Sequence, residues 1–402
     1  MDSQQGMLSG TRVLELGSTI SGPFCGRLLA DFGAEVIKIE DPSGDALRSV
    51  GKSVNGKSLY AATLLRNKKN VSVSLRSQEG VDIVKRLVES SDILIENFRP
   101  GTLEKWGLDP ESLWKIKPDL IIVRISGFGQ TGPYSKRPGY GVIGEAISGL
   151  RHINGDVDRP PTRMATPLTD YITGLYAAFG ATMALADRNR SGKGQCIDAA
   201  LYECAFSFME PFVPAYGHLG EVANRAGSRL PGATPNNLYP TLGGNYILIA
   251  AFADSVFTRL CQAMHKPQLL SDDRYATAEA RNEHVEELDE IITNWTINQD
   301  TEELEKILIE HEIPASRVFT MEDIFKNEHY EARRMLVKVE DEKMGNTTLA
   351  APVPKLTREP GVINHTGRNL GVDTVEVLST IAGYSHEQIS SFLKKGVISV
   401  GE

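Results

Sequence analysis

Short runs of β-branched and aliphatic residues alternate along the chain with longer stretches whose apolar positions recur every three or four residues. "TRVLEL", "EVIKIE", "VSVSL", "DILIEN" and "LIIVRISG" are Val/Ile/Leu-rich and bounded by Gly, Pro or polar residues, the pattern of strands buried on both faces. Between them, "FCGRLLADFG" and "EGVDIVKRLVES" have helical spacing, the first halted by Gly33. Strand and helix alternating over roughly residues 10 to 150 predict an α/β domain with a parallel sheet and helices on its faces.

From Asp170 the spacing predicts a long helix to about Arg190, closed by "SGKGQ"; "CIDAALYECAFSFME" then reads as a strand running into a helix. Residues 218–245 are dense in Gly, Pro and Asn and read as a linker or functional loop. "YILIAAFADSVFTRLCQAM", "RNEHVEELDEIITNWT" and "TEELEKILIEHEI" supply a strand and helices of a small α/β domain ending near 330. The expected division is 1–217, 218–330 and 331–402, with strand character returning in "GNTTLAAPVPKL" and two helices at the end.

With 402 residues, 41% hydrophobic and 24% charged, the chain is globular material long enough for two or more cores. A net charge of −9 without a long basic block argues against a nucleic-acid partner, although a local basic pocket for a small anion stays open. "MDSQQGMLSG" has neither a basic nor an apolar leader region, and no window approaches 18 uninterrupted apolar residues; the expectation is a cytoplasmic protein, or one of an organelle matrix, without a membrane partner. Cys25, Cys196, Cys204 and Cys261 are scattered and read as buried, reduced thiols.

Several motifs fail on context. "GKSVNGKS", residues 51–58, matches the phosphate-loop pattern, but the polar "GDALRSV" before it is no buried strand. The unit from Val13 to Glu40 imitates a dinucleotide fold, yet its turn "GSTISG" lacks the G-x-G that admits a pyrophosphate. None of the eight histidines, His152 included, forms a metal motif, so no metal is expected, and no G-x-S-x-G elbow appears.

"TPLTDYITGLYAA" places one carboxylate, Asp170, at the mouth of an apolar run. Its position suits an N-cap accepting bonds from free amides. It suits chemistry equally: helix amides and dipole favour the ionised carboxylate, and Gly174 with the following alanines leaves room for a ligand or partner chain.

"VLELGSTISGPFCGRLLADFGAEVIKIEDPSGD", "RNKKNVSVSL", "DILIENFRPGTLEKWGL", "ISGFGQTGPYSKRPGY", "TDYITGLYAA" and "SGKGQCIDAALYE", in this order and spacing, resemble the family III CoA-transferases, the formyl-CoA and carnitine CoA-transferase group, over essentially the whole chain. The resemblance implies a Rossmann-like large domain built from residues 1–217 and 331–402, a small domain between, and ring-shaped chains interlocked as a homodimer. It makes Asp170 the nucleophile that attacks an acyl-CoA thioester, giving a mixed anhydride and then an aspartyl-CoA thioester. Such chemistry needs no permanently bound cofactor: coenzyme A, acyl-CoA and a carboxylic acid are substrates, and carboxylate and thiolate nucleophiles require neither a histidine base nor a metal.

The resemblance carries CoA contacts onto Ile20, Ser21, Leu75, Arg76, Asn97, Phe98, Lys105 and Tyr140, and a mobile cover onto Gly232. Asp41 stands where some relatives place an arginine, with Lys38 or Arg48 as candidate replacements. Family racemases use a histidine–acid pair where this chain has Tyr140 and Gly141; many transferases place an acid after the tyrosine, and here Glu145 follows one helical turn later. Arg151, Arg163, Arg225 and Arg229 are candidates to clamp a second carboxylate, and the pattern looks closest to members using succinyl-CoA with short dicarboxylic acids.

Overall fold

A computed structural model describes residues 6–401. They divide into two compact units: one contains the residues up to 150, 164–220 and those from 329 onward, the other 151–163 and 221–328. Residues 151–163, assigned by sequence to the N-terminal part, thus group with the second unit, because Asn154 and Asp156 exchange bonds with Thr162 and Arg225 rather than with the sheet.

Among the described residues, the first unit holds a seven-stranded sheet in the order Ile398–Ser399, Lys68–Val73, Glu35–Glu40, Arg12–Glu15, Ile93–Glu96, Ile121–Ser126, Cys196–Ala200. All neighbours run parallel except the edge strand Ile398–Ser399, which is antiparallel to Lys68–Val73. Successive side chains point to opposite faces. Leu14, Ile37, Val71, Leu94 and Ile122 pack with Val84 and Leu87 of the helix Gln78–Val88 on one face. Val13, Val36, Ile93, Ile121 and Val123 pack on the other with Cys25 and Leu29 of the helix Ser21–Asp31 and Ala177 and Ala181 of the helix Leu168–Ser191.

The long helix begins at Leu168 with Pro167 in the cap position, so Asp170 lies in the first turn instead of capping it. Its small residues also serve a different end from the one expected. Gly174 is buried against the helix Ser21–Asp31: a Cβ there would stand 2.8 Å from the carbonyl oxygen of Ser21 and 2.9 Å from the Phe24 ring. Tyr171 meets the Phe24 ring edge-on, centroids 4.8 Å apart. Gly174, Ala177 and Ala178 therefore bring two helices of one chain together.

The second unit has a three-stranded antiparallel sheet, Ala315–Arg317, Tyr246–Ala250, Asn236–Pro240, with a core that includes Tyr239, Ile247, Phe257, Leu288 and Leu304. Asn236–Pro240 falls inside the segment read as loop. Its "NNLYP" has turn-forming residues, and the ladder to Tyr246–Ala250 makes it a strand nonetheless. In the first unit, Gly345–Ala350, inside the "GNTTLAAPVPKL" expected to have strand character, pairs with Leu336–Asp341, which the sequence did not announce. Among the described residues no helix is long and apolar enough to cross a membrane.

Gly174→Val is expected to lower stability by about 2 kcal/mol or more through overpacking at the helix crossing, seen as a melting temperature reduced by several degrees.

Candidate active site

The strands Arg12–Glu15, Glu35–Glu40, Lys68–Val73 and Ile93–Glu96 end on the same edge of the sheet, where open parallel sheets bind ligands. Two adjoining cavities open there. One, of about 380 Å³, is lined by Asp41, Leu75, Arg76, Phe98 and Trp106, among others. The second, of about 200 Å³, is lined by Ser18, Ser21, Asn97, Phe98, Arg99 and Tyr140, among others. Ser18 and Phe98 wall both.

The structure thus brings together Ser21, Leu75, Arg76, Asn97, Phe98 and Tyr140. Ile20 is buried among Leu47, Ala61 and Leu64 and has only its backbone to offer. Lys105 is exposed in the short helix Thr102–Lys105 and lines neither cavity. Trp106, which the sequence did not single out, supplies an aromatic wall and stacks edge-on with Phe98, centroids 5.1 Å apart.

Asp170 adjoins the smaller cavity through Tyr140 and Gly141. Tyr140 lines that cavity and precedes the helix Gly141–Ile147. A Cβ on Gly141 would stand 1.9 Å from Oδ2 of Asp170, so any larger residue at 141 forces one of the two to move. A glycine where many transferases carry an acid is the condition under which the Asp170 carboxylate rests against this backbone. Glu145 lies half-buried in the same helix. Asp170 also stands in the first turn of a 24-residue helix, where the dipole favours negative charge.

The proposed replacements for the missing arginine are already engaged. Lys38 is buried, donates to the Gly17 carbonyl and pairs with Asp45 at 3.0 Å. Arg48 makes a fork with Glu40, at 2.7 and 2.6 Å, and donates to the Arg368 carbonyl at 3.0 Å. Neither has its charge to spare for a phosphate. Asp41 accepts from the Ser43 hydroxyl and amide, and Arg76 stands 3.8 Å away with its side chain 85% exposed. Partial burial raises the Asp41 carboxyl, but Ser43 and Arg76 outweigh it and hold it below the usual range. Arg76 is the exposed cation of the larger cavity.

In the second unit, Arg163 is exposed, Gly232 has a φ of +80° with nothing within 4 Å of a notional Cβ, and Asn282 donates to the Gly232 carbonyl at 3.2 Å. Arg229 is taken up by Asp289 at 2.7 Å, which Tyr239 and Asn237 share, and Arg225 donates to the Asp156 and His152 carbonyls. Both arginines therefore hold their own unit together rather than standing ready as carboxylate clamps. Among the described residues no group of three or more His, Cys, Asp or Glu side chains could hold a metal.

Glu96, immediately before Asn97, accepts from the Phe98 amide at 2.8 Å and from Nε of Arg124 at 2.8 Å. Burial pushes its carboxyl up to about 7, against the pull of Arg124 and the amide. Since the folded value exceeds the ordinary one, the folded state binds the extra proton between about 4.5 and 7, and this group's contribution to stability falls as pH rises through that window. Melting temperatures at about pH 5 and about pH 7.5 are expected to fall more for the natural chain than for Glu96→Gln; equal falls would refute this assignment.

A family model described as CoA-transferase family III matches residues 8–374. A succinyl-CoA–D-citramalate CoA-transferase of Chloroflexus aurantiacus is 44% identical over 97% of this chain and 98% of its own. A succinate–glutarate CoA-transferase of Agrobacterium fabrum is 36% identical over 85% and 87%. The crystal structure of a CAIB/BAIF family protein from Brucella suis superposes with a TM-score of 0.83 at 32% identity, covering 94% of this chain and all of that one. With a strand-end cavity beside Asp170 and a match across nearly its whole length, the chain belongs to CoA-transferase family III.

Proposed function

We propose that this chain moves CoA from succinyl-CoA to a short dicarboxylic acid of four to six carbons, with Asp170 as the covalent nucleophile. The observation that carries the reading is the Asp170 carboxylate seated on the Gly141 backbone beside the cavity that Ser21, Asn97 and Tyr140 line. The named substrates of the relatives, succinyl-CoA with D-citramalate and succinate with glutarate, support the choice of acids.

In this reading an Asp170 oxygen attacks the thioester carbonyl; a C–O bond forms, the C–S bond breaks and CoA leaves as thiolate. The thiolate attacks Cγ of the resulting anhydride, and succinate departs with its oxygen. The acceptor carboxylate then attacks the aspartyl-CoA thioester, releasing thiolate again. Attack of that thiolate on the acceptor's acyl carbon gives the new CoA ester and returns the aspartate. No proton changes hands, so no general base is called for. Water would hydrolyse either intermediate, which requires a closed pocket.

The racemase reading loses its proton-transfer pair: Tyr140 and Gly141 occupy that place, and Tyr140 cannot serve as the imidazole. A CoA-binding protein without turnover would give no use to the placement of Asp170.

We also assign this chain to an interlocked homodimer. Leu175, Phe179 and Met183 of the long helix are each more than half exposed, as are Tyr216 and Leu219 of the helix Phe212–Leu219. Beside Leu175 and Phe179 lies an apolar hollow of about 380 Å³. A monomer rarely leaves so much apolar surface to water. Light scattering is expected to give twice the 44.0 kDa of one chain, and a monomer mass at micromolar concentration would remove the assignment.

Asp170→Asn is expected to lower CoA exchange by about a thousandfold or more with folding intact. With the natural chain and an acyl-CoA, hydroxylamine quenching and mass spectrometry of the peptide spanning residue 170 are expected to trap the aspartyl adduct. Turnover with that peptide unmodified would exclude the covalent route.

A further inference from the structure

The turn joining the strand Arg12–Glu15 to the helix Ser21–Asp31 walls both cavities through Ser18, and its backbone is held by side chains rather than by its own peptides. The Asn97 carboxamide grips Ser18 from both sides: Oδ1 accepts from the Ser18 amide at 2.7 Å and Nδ2 donates to the Ser18 carbonyl at 2.8 Å. One residue earlier, the buried ammonium of Lys38 donates to the Gly17 carbonyl. One residue later, the Thr19 amide donates to Asp45 Oδ1 at 3.2 Å, and Asp45 Oδ2 in turn holds Lys38 at 3.0 Å. Three consecutive residues are thus fixed by Lys38, Asp45 and Asn97, each arriving from a different part of the sheet edge.

The hold has to be strong because the conformation it imposes is unfavourable. Thr19 has a φ of +67°, a region that β-branched residues avoid, and relaxing it would swing the Ser18–Ser21 backbone. The clamp also leaves little slack. Gly17 and Gly22 pack directly against the Asn97 side chain, where a Cβ on either would stand 3.1 and 3.3 Å from its nearest atoms. Lys38 is anchored behind the turn by Glu15 at 3.7 Å, and Glu15 by Lys68 at 2.6 Å, all three fully buried. Two residues that line the cavities therefore work on the protein itself. The Asn97 side chain is spent on the protein's own backbone, and Lys38 serves the turn from behind.

We infer that Asn97, Lys38 and Asp45 are positioning residues that lock the strained Gly17–Thr19 turn, so that the wall receiving the CoA ester is already formed before the ligand arrives. The inference rests on the reading that these cavities take up acyl-CoA. A preformed wall spares the ligand the ordering of the turn, so loosening the clamp weakens binding of the CoA ester and leaves the chemistry at Asp170 nearly untouched.

The test is steady-state kinetics of the full-length chain with succinyl-CoA and a dicarboxylate acceptor, with calorimetric titration of CoA alongside and a melting curve for every variant. Asn97→Ala is expected to raise KM for succinyl-CoA and the Kd for CoA by about tenfold or more, with kcat within about threefold and KM for the acceptor acid unchanged. Asn97→Asp, which keeps an oxygen facing the Ser18 amide but sets a second, charged oxygen where the donor to the Ser18 carbonyl stood, is expected to raise both constants at least as far; it decides the matter should Asn97→Ala fail to fold. A general loss of stability would lower the active fraction and thus kcat, without moving KM or Kd. Unchanged KM and Kd in folded variants overturn the inference while leaving the proposed function standing. A natural chain that neither binds CoA nor exchanges it overturns the function itself.

Discussion

Charge buried beneath the end of a parallel sheet is the constraint around which this chain is arranged. Glu15, Lys38, Glu40, Lys68, Glu96 and Arg124 all sit on strands of the central sheet, and each is at most 5% exposed. Interior strands of this kind ordinarily carry aliphatic residues throughout. An ion removed from water is tolerated only with partners of good geometry, and removal of one partner strands the other. The pairs Lys68–Glu15, Lys38–Asp45 and Arg124–Glu96 therefore dictate where the loops after each strand begin. Burial drives the Glu15 carboxyl up and the Lys68 ammonium down, whereas Asp45 and Glu15 keep Lys38 above its ordinary value in spite of burial. Lys38 is thus the member whose charge the interior sustains, and the carbonyl of Gly17 is what that charge holds.

The same arrangement places the chemistry. The long helix meets the first helix at Gly174, and the Tyr171–Phe24 ring contact lies one turn earlier, at its amino end. Asp170, one residue before Tyr171, is therefore held in the first turn against the backbone of Gly141. The missing side chain at 141 supplies the remaining space. The sequence left two readings of the acid missing there, that Glu145 substitutes for it or that it is dispensable; in the fold the bare Gly141 backbone is where the carboxylate of Asp170 rests.

The parallel sheet was legible because its strands are short, aliphatic and regularly interrupted: Glu35–Glu40 coincides with "EVIKIE", and Ile121–Ser126 and Ile93–Glu96 lie within the segments that announced them. Asn236–Pro240 was not, because its strand character comes from a ladder partner and not from composition; Leu336–Asp341 was passed over although "LVKV" alternates as a strand does. Among site residues, Asp170, Ser21 and Tyr140 were marked by motif, but a motif does not say which way a side chain turns. Lys38 and Arg48, the candidate replacements for the missing arginine, and Arg229, a candidate clamp, are engaged in internal ion pairs, and Ile20, whose backbone was the expected contact, buries its side chain in the core. A readable signal did exist for two of them: a lysine or glutamate interrupting an apolar strand, as in "EVIKIE" and "VLELG", asks for a buried counter-charge. Trp106 carried no such mark, since its place beside Phe98 depends on how "RPGTLEKWG" folds back.

The edge strand Ile398–Ser399 gives the sheet a particular order of completion. Ser399 bonds to Ser72, 327 positions earlier in the chain, and the amide of Ser74 takes the carbonyl of Val397. During synthesis on the ribosome, the outer rim of Lys68–Val73 stays open while nearly the whole remaining chain emerges. An uncovered strand rim is a template for pairing with other chains. Lys69, near the start of that strand, shares Glu35 with Arg12, and until Glu376 emerges its charge is only partly met, which disfavours pairing with another chain during the wait.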